Sequence, residues 1–412
     1  YYPDARKVFV LVDSEATEFN ILDSEGVSVF TGTLGSPQVW EAAGEKALKG
    51  DFSEFKTPGT YTIGVNQMES YPFEIKENLY EEALKASVKS YYYQRASMLI
   101  EETYGGTYAR AAGHPDDACI YHPSSGNQGT MASPGGWYDA GDYGKYIVNA
   151  ALTVGQMLNY LEMEPNVLGE TLNIPESGNG IDDLADELKY ELDWIRTMQD
   201  EDGGVYHKLT ALSFSGFIMP DVYDLDRYVI GKGTAATLSY AAVMAQASRV
   251  FATIDQAWSQ DALASAVRAY DWAIDHPDEV FQNPEDVVTG EYGDDRFADD
   301  FYWATVELRL ATQDEKYNPA TYEQPVWHEI TNSWRHFVRN VAFHSSLIND
   351  SNDPVRSGML ALSDSILTVV KTHPYAIGLD HFEWGSNSDI LNQAMLLCIA
   401  HKLTSDQKYL DG

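Results

Sequence analysis

The chain has 412 residues, of which 44% are hydrophobic, so it is long enough for two domains and can bury a large core. Acidic residues outnumber basic ones by 63 to 27, and the net charge of −36 argues against binding to nucleic acid or to an anionic membrane. No apolar run approaches the length of a transmembrane helix, and a content of two cysteines excludes a disulfide framework.

Residues 1–76 are predicted to form a small β-sandwich of the immunoglobulin-like type. Segments rich in Val, Phe, Thr and Tyr are typical of short strands, and they cover residues 7–12, 18–22, 27–31 and 59–65. Turn-forming residues separate these segments at regular intervals. Short strands with this spacing favour two packed antiparallel sheets.

From residue 77 onward, apolar residues recur at the spacing of an α-helix. The predicted helices cover residues 80–103, 142–161, 181–199, 231–253, 257–274, 297–313, 325–345, 356–372 and 386–404. Long loops rich in Gly, Pro and Asp join them. Helix pairs joined by long loops on one side favour a ring of stacked helices with a binding face formed by the loops.

Two aspartates lie three residues apart in the segment Gly135–Tyr146, which reads GGWYDAGDYGKY. Inverting hydrolysis of a glycosidic bond needs a carboxylate base for the water and a separate acid about 6.5–9.5 Å away. Asp139 and Asp142 are too close in sequence for these opposing roles, so we predict that both act on the water. The alternatives are a calcium loop, or an N-cap at Asp142 for a helix beginning near Tyr143 with Asp139 in a turn.

The segment WYDAGDYGKY resembles the catalytic-base motif of family 9 glycoside hydrolases, in the branch with an N-terminal immunoglobulin-like domain. Further segments that resemble this family are residues 182–210, 236–251, 299–317 and 382–395. The resemblance therefore covers nearly the whole chain. It implies a mainly α fold with an (α/α)6 barrel over residues 77–412, and inverting hydrolysis of β-1,4-linked glucosides.

By matched position, the resemblance implies that Asp142 is the general base and that Asp139 helps to hold the nucleophilic water. The family's general acid is a Glu near the C-terminus, after a histidine-containing loop. The sequence reaches Gly412 before either would occur, and its helices are too few to close the ring, so we expect the barrel to be incomplete at its C-terminus. Within the chain, Glu383 beside Trp384 is the substitute to consider.

Trp384, Tyr143 and His207 are the predicted substrate-binding residues. The resemblance implies that Trp384 stacks on a sugar ring, which suits its flat apolar face, and ordinary core packing is the alternative. His207 matches a family motif as well, with loop anchoring as the alternative role. Lys145 is expected to form an ion pair that positions the loop with the two aspartates.

No cofactor is expected to be required. Relatives that bind structural zinc use two Cys and two His, and their first Cys follows a Gln–Arg pair, whereas here Gln94–Arg95 is followed by Ala96. The remaining candidate zinc ligands are Cys119, His114 and His122. A closed tetrahedral site needs four good ligands, so zinc is not expected. Structural calcium fits better, because Asp-rich loops at 200–202 and 294–300 offer carboxylates.

Three functions are consistent with these observations. The first is endoglucanase-like cleavage of cellulose or cello-oligosaccharides. An exo-β-glucosaminidase on chitosan oligosaccharides is the alternative, favoured by the missing zinc cysteine and by the acidic charge. A catalytically degenerate carbohydrate-binding protein is the third, although intact Asp139 and Asp142 argue against it. A polysaccharide hydrolase would be secreted or periplasmic, and an oligosaccharide-processing enzyme would be cytoplasmic; the sequence does not choose between these compartments.

Overall fold

A computed structural model describes residues 1–322, 354–379, 381–382 and 385–411 of the chain. These residues divide into two compact units. One unit contains Tyr1–Leu84 and the described residues from Arg356 onward, and the other contains residues 85–322 and 354–355. The units differ from the predicted domains because the C-terminal segment groups with the N-terminal residues. Within the described ranges, no helix has the length and apolar character needed to cross a membrane.

The N-terminal residues form two small sheets. Their strands are β1 (Val8–Val12), β2 (Glu18–Leu22), β3 (Ser28–Thr33), β4 (Gln38–Trp40), β5 (Glu45–Asp51), β6 (Gly59–Val65), β7 (Met68–Glu69) and β8 (Phe73–Ile75). One sheet has the order β1-β5-β4 and the other β3-β2-β6-β7, with β8 also paired to β6. The predicted strands correspond to β1, β2, β3 and β6. The strand β5 was not predicted because its sequence, EKALKGD, is rich in charged residues and has no β-branched one.

The core of this unit lies where the two sheets face each other. Its buried members are Phe19, Ile21, Phe52, Tyr61, Ile63, Val65 and Ile75. Those on β2 and β6 are two residues apart, because successive side chains of a strand point to opposite faces. Phe9 on β1 contacts Phe19 on β2 edge to face, with ring centroids 4.9 Å apart, so the sheets are held together by aromatic packing.

The helices of the described chain follow the prediction closely. They are α1 (Glu81–Gln94), α2 (Glu102–Gly105), α3 (Ile147–Met163), α4 (Asp183–Thr197), α5 (Thr234–Val250), α6 (Gln256–Asp275), α7 (Ala298–Thr312), α8 (Pro354–Thr372) and α9 (Ser386–Thr404). Two boundaries differ by five residues or more, since α1 ends at Gln94 and α3 begins at Ile147, and the others differ by at most three. The predicted helix at 325–345 lies outside the described residues.

Helix α5 is the central helix of the second unit. It packs against α3, α6 and α7. Every residue from Thr234 to Ser248 is buried, and many of these residues are Ala, Ser or Thr. Small side chains let neighbouring helices approach from several sides, which explains why this helix is buried all round rather than on one face. Helix α4 packs against α3 and is the helix that supports the candidate site.

A third sheet, which the sequence did not predict, takes its strands from the predicted loops 105–141 and 200–230 and from the first residues of the predicted helices 142–161 and 231–253. Its strands are β9 (Cys119–Tyr121), β10 (Thr130–Met131), β11 (Lys145–Tyr146), β12 (Tyr206–Thr210) and β13 (Tyr228–Lys232), in the order β10-β9-β13-β12-β11. Most of these strands are too short to show alternation. The sheet matters for function because β11 directly follows the two aspartates and pairs with β12, with Tyr146 opposite Lys208.

Candidate active site

Asp139 and Asp142 lie on a tight loop just before β11, which we call the carboxylate loop (residues 139–144). The backbone N–H of Asp139 donates to the carbonyl of Gly144 at 2.9 Å and closes the loop. The N–H of Gly144 in turn donates to Oδ1 of Asp142 at 3.2 Å. Gly144 is needed because a Cβ at this position would lie 2.7 Å from the ring of Tyr146. The loop therefore brings both carboxylates to one turn of the chain.

The helix-cap interpretation of Asp142 is wrong. Helix α3 begins at Ile147, and Tyr146 occupies the N-cap position without a side-chain cap. Two residues of β11 separate the carboxylate loop from the helix, so Asp142 is too far away to cap it. The side chain of Asp142 accepts hydrogen bonds from Gly144 of its own loop and from Tyr146 instead.

Two tyrosines and one amide hold the aspartates. The hydroxyl of Tyr146 donates to Oδ2 of Asp142 at 2.5 Å, and that of Tyr292 donates to Oδ2 of Asp139 at 2.8 Å. Their rings meet edge to face, with centroids 4.8 Å apart. Asn149 on α3 donates its amide to Oδ1 of Asp139 at 2.8 Å. Both carboxylates thus have neutral donors that fix their orientation and leave their charge in place.

The carboxylate of Asp139 is exposed, but it is electrostatically distinct from an ordinary surface acid. Its pKa is raised because surrounding protein removes part of its hydration and because the charge of Asp142 is close. The hydrogen bonds from Asn149 and Tyr292 act in the opposite direction. Burial, and then the adjacent aspartates, raise the pKa of the Tyr146 and Tyr292 hydroxyls, so both remain protonated donors at neutral pH.

A buried group of three charges, the ion triad (Lys145, Asp116 and Arg227), anchors the carboxylate loop. Lys145 Nζ lies 2.8 Å from Oδ2 of Asp116, and Arg227 Nε donates to Oδ1 at 3.0 Å. Burial alone would raise the pKa of Asp116, but the two cations hold it at about 2. The sequence expectation that Lys145 forms an ion pair is confirmed.

The two cations of the ion triad also bind the backbone on both sides of the aspartates. Lys145 Nζ donates to the carbonyls of Ser133 and Gly135, at 3.0 and 2.8 Å. Arg227 Nη1 donates to the carbonyl of Tyr143 at 2.7 Å. Tyr143 has a φ of 56°, a left-handed conformation that costs a non-glycine residue roughly 1–2 kcal/mol. The bond from Arg227 helps to hold the loop in this unfavourable conformation.

Helix α4 fixes the residues that precede the loop. The backbone N–H of Trp137 donates to Oε2 of Glu191 at 2.5 Å, and its indole N–H donates to Oε1 of Glu187 at 2.8 Å. Arg95 Nε also donates to Glu187, at 3.0 Å. Burial raises the pKa of Glu191 to about 8, so this side chain is protonated at neutral pH. Because Trp137 is two residues from Asp139, these contacts position that aspartate.

A cavity of about 300 Å³ opens beside Asp139. Its aromatic walls are Tyr91, Trp137 and Tyr146, and its polar groups include Gln94 and Asn149. Aromatic faces combined with a few polar groups are typical of sites that bind sugars, since a pyranose ring presents apolar C–H faces and polar edges. The exposed carboxylate of Asp139 is therefore next to a space that a ligand can enter.

The predicted substrate-binding residues have different surroundings. Tyr143 is half-buried, and its ring contacts those of Tyr138, Tyr223 and His114. Its hydroxyl donates to the carbonyl of Ile218, so this group is already engaged with the protein. Trp384 and the alternative acid, Glu383, lie outside the described residues.

His207 on β12 is fully buried. Its ring stacks on Phe281 with centroids 3.7 Å apart, and its Nε2 donates to the carbonyl of Glu291 at 2.8 Å. Burial lowers the pKa of His207 to about 3, so it is neutral. This burial argues against direct contact with substrate and supports the alternative of loop anchoring, since Glu291 immediately precedes Tyr292.

Several residues of the site were not predicted. They are Tyr146, Asn149, Glu187, Glu191, Tyr292, Asp116 and Arg227. Tyr146 lies inside the aspartate motif, and Asn149 follows it closely, so the sequence alone offers a signal for both. Tyr292 is far away in the chain, and only the fold brings it to Asp139.

The candidate zinc ligands do not fit a zinc site. His114 Nδ1 bonds to the hydroxyl of Tyr138 at 2.8 Å, and His122 bonds to Ser124 at 2.8 Å. Burial raises the pKa of the Cys119 thiol to about 12, which disfavours the thiolate that zinc needs. Across the described ranges, no group of three or more His, Cys, Asp or Glu side chains is arranged to hold a metal ion.

Comparison with known families decides the identity of the chain. Residues 80–412 match the family described as glycosyl hydrolase family 9, and residues 1–70 match the cellulase N-terminal Ig-like domain. The chain belongs to glycoside hydrolase family 9. It is therefore an O-glycosyl hydrolase whose catalytic region follows an Ig-like domain, as the resemblance predicted.

Two curated relatives of this family 9 hydrolase are similar over nearly all of its length. It is 36% identical to a xyloglucan-specific endo-β-1,4-glucanase of Bacteroides ovatus, over 100% of this chain and 75% of that protein. It is 32% identical to endoglucanase D of Acetivibrio thermocellus, over 97% of this chain and 66% of that protein.

Solved structures agree with this assignment. A family 9 structure from Bacteroides ovatus superposes with a TM-score of 0.93 at 35% identity, covering 100% of this chain and 81% of that one. The family 9 endoglucanase J30 gives a TM-score of 0.92 at 29% identity, covering 100% and 80%. The chain therefore has the fold of this family, with its N-terminal Ig-like domain.

Proposed function

We propose that this family 9 hydrolase cleaves β-1,4-linked glucans by a single displacement that inverts the anomeric carbon. The observation that carries the proposal is the pair of adjacent carboxylates, each oriented by a tyrosine hydroxyl, of which Asp139 lines a cavity with aromatic walls. The names of the two relatives, a xyloglucan-specific endoglucanase and an endoglucanase, support this class of substrate. We also propose that the helices around α5 belong to an (α/α)6 barrel.

In this mechanism Asp142 is the general base and Asp139 aligns the water. Both oxygens of Asp139 accept bonds from side chains, whereas Asp142 accepts one side-chain bond and one longer bond from its own loop. Each carboxylate therefore accepts two bonds, one on each oxygen, and keeps acceptor capacity for a water proton; the choice of Asp142 as the base rests on its matched position in the family motif. As the water oxygen bonds to the anomeric carbon, Asp142 takes the proton and the glycosidic C–O bond breaks. The resemblance implies a glutamate as the acid that protonates the departing oxygen.

The other functions considered from the sequence have less support. The relatives reported above are named for glucans, so the glucosaminidase alternative has no support from them. A degenerate binding protein would not need two carboxylates that are both oriented by neutral donors. Hydrolysis of cellohexaose, a xyloglucan oligosaccharide and a chitosan hexamer in parallel would separate the three substrate classes.

The product anomer tests the proposal. We expect the protein to hydrolyse 2,4-dinitrophenyl β-cellobioside, whose leaving group departs without a proton, so that the result does not depend on the general acid. Proton NMR during the first minutes should show α-cellobiose before mutarotation. A first product with the β configuration would contradict inversion, and absence of dinitrophenol release would contradict hydrolysis.

Structural calcium stays a proposal, supported by one buried side chain. Both carboxylate oxygens of Asp300 are buried without a hydrogen-bond partner on another described residue. Burial, followed by the charges of Asp299 and Asp294, raises its pKa well above the ordinary value. Because no three His, Cys, Asp or Glu side chains of the described residues are arranged around one ion, a calcium ion here would be held by Asp300 with backbone carbonyls and water, and it would offset that repulsion. We expect calcium to raise the Tm of the EDTA-treated protein and to have less effect on Asp300→Asn; equal responses would exclude this site.

A further inference from the structure

A segment beside the candidate site exposes large apolar side chains in unusual number. We call residues 212–225 the apolar loop; its exposed members are Phe214, Phe217, Ile218, Met219, Val222 and Leu225. Phe217 is exposed as completely as a side chain can be, at 110%, and Phe214 is 57% exposed. Single exposed apolar residues are normal on protein surfaces, but a group of this size is typical of a surface that binds a ligand or a partner protein.

The apolar loop has a defined conformation. The carbonyl of Ile218 accepts the hydroxyl of Tyr143, and the ring of Tyr223 meets that of His114 with centroids 4.4 Å apart. Gly113 approaches so closely that a Cβ there would lie 2.6 Å from the carbonyl oxygen of Pro220. The exposed side chains therefore project from a backbone that is held at several points, as a rigid binding surface requires.

The apolar loop is continuous with the carboxylate loop. Tyr143 bonds to Ile218 and is the residue that directly follows Asp142, so the two loops are joined at the aspartates themselves. A ligand that occupies the aspartates and is longer than the cavity beside Asp139 has the apolar loop as a neighbouring surface.

The charged residues on and next to the apolar loop limit the kinds of ligand that it can bind. Asp221, Asp224 and Asp226 are exposed on and next to the apolar loop. The neighbouring basic residue, Arg227, is buried in its ion pair with Asp116. These acids would repel nucleic acid or an anionic membrane, whereas they leave a neutral sugar unaffected. Exposed phenyl rings suit the apolar faces of neutral pyranose rings.

We propose that Phe214 and Phe217 form a stacking platform for glucosyl units of a β-1,4-glucan beyond those bound at the aspartates. This inference rests on the proposed function. It assigns the enzyme a preference for longer chains, because only a chain that extends past the carboxylate loop reaches the platform.

The experiment compares a short and a long substrate in the double variant Phe214→Ala/Phe217→Ala. We divide kcat/KM on cellohexaose by kcat/KM on 2,4-dinitrophenyl β-cellobioside, and we expect this ratio to fall about tenfold in the double variant. Truncating a side chain that contributes to binding typically weakens affinity by about this factor or more. The matched control is Tyr71→Ala, which removes a 94% exposed aromatic residue from the Ig-like region and should keep the wild-type ratio.

The outcomes separate the platform from the proposed function. An unchanged ratio in the double variant would overturn the platform while hydrolysis stands. If the wild-type protein cleaves neither substrate, the proposed function fails. Whenever the wild type does not cleave cellohexaose, calorimetric binding of cellohexaose to wild type and double variant decides the platform: equal affinities would overturn it, and an about tenfold weaker affinity of the double variant is the expected result. Loss of self-association in the double variant, with cellohexaose affinity retained, would assign the apolar loop to a second copy of the chain and overturn the platform.

Discussion

The carboxylate loop and the ion triad that anchors it use aspartate in opposite ways. Asp116 is fully buried between Lys145 and Arg227, which hold its pKa at about 2. Asp139 is exposed, is held by an amide and a hydroxyl, and has a raised pKa. Cations compensate the first carboxylate, while neutral donors orient the second and leave its charge for a ligand. The surroundings of an aspartate, more than its burial, distinguish a structural acid from a reactive one.

The largest effect is expected from removing one of the two reactive carboxylates. Asp142→Ala removes the general base, and we expect the hydrolysis rate to fall by roughly 10²–10⁴. Steady-state release of dinitrophenol measures this loss. Binding of cellobiose by calorimetry should be retained, because the stacking walls of the cavity are unchanged; turnover near the wild-type level would refute the assignment of Asp142.

The next largest effect is expected from Lys145→Met, which disrupts the ion triad. This change leaves Asp116 with one cation and removes the donor from the carbonyls of Ser133 and Gly135, so we expect the free energy of unfolding to fall by about 3–5 kcal/mol. Urea denaturation measures it. Lys189→Met is the matched control, because Lys189 forms a solvent-accessible pair with Asp193 and should cost less than about 1 kcal/mol. Similar losses in both variants would contradict a special role for the ion triad.

A smaller effect is expected from loosening one reactive carboxylate. Tyr292→Phe removes the hydroxyl that donates to Asp139, and we expect kcat to fall about tenfold, in line with the value of a hydrogen bond to a charged group. Because that bond lowers the pKa of Asp139, its loss should also move the acidic limb of the rate profile to higher pH. The exposed Tyr71→Phe serves as control. A profile that keeps its acidic limb would show that Asp139 does not depend on Tyr292.

The smallest effect concerns Glu191, the protonated acid that accepts the backbone N–H of Trp137. The pKa of Glu191 is raised from 4.5 to about 8, so the folded protein binds this proton more tightly than the unfolded chain does. Its contribution to stability is therefore complete below pH 4.5 and is lost as the pH rises towards 8. Glu191→Gln stays neutral, and its Tm should fall less than that of the wild type over this interval. Glu201→Gln, at an exposed position, should keep the wild-type slope; a wild-type slope in Glu191→Gln would refute the assignment.

The sequence was most informative where structure is local. Helical periodicity located α4 to α7 to within three residues, and turn-separated segments located four strands of the Ig-like region. The motif around Asp139 and Asp142 contained both reactive carboxylates. Lys145 could be assigned an ion pair because it lies in the same motif, although its partner, Asp116, could not be named.

The sequence was least informative where short strands and distant residues meet. The sheet from β9 to β13 is missing from the prediction, which assigns β11 to a helix and most of the other strands to loops, because the strands are short and pairing between segments far apart in the chain creates the sheet. Tyr292, which donates to Asp139, is likewise far from it in the chain. His207 could not be distinguished from a ligand-binding residue, because its burial depends on Phe281 and on the segment before Tyr292.

The central claim, that Asp142 activates a water molecule held with Asp139, is tested most directly by adding azide to Asp142→Ala. Azide attacks without losing a proton, so it needs no general base, and the shortened side chain leaves room for it. With 2,4-dinitrophenyl β-cellobioside, the account predicts that azide restores turnover and that NMR identifies the product as α-cellobiosyl azide. A folded variant that binds cellobiose yet shows no azide-dependent turnover, or that forms the β-azide, would contradict the claim.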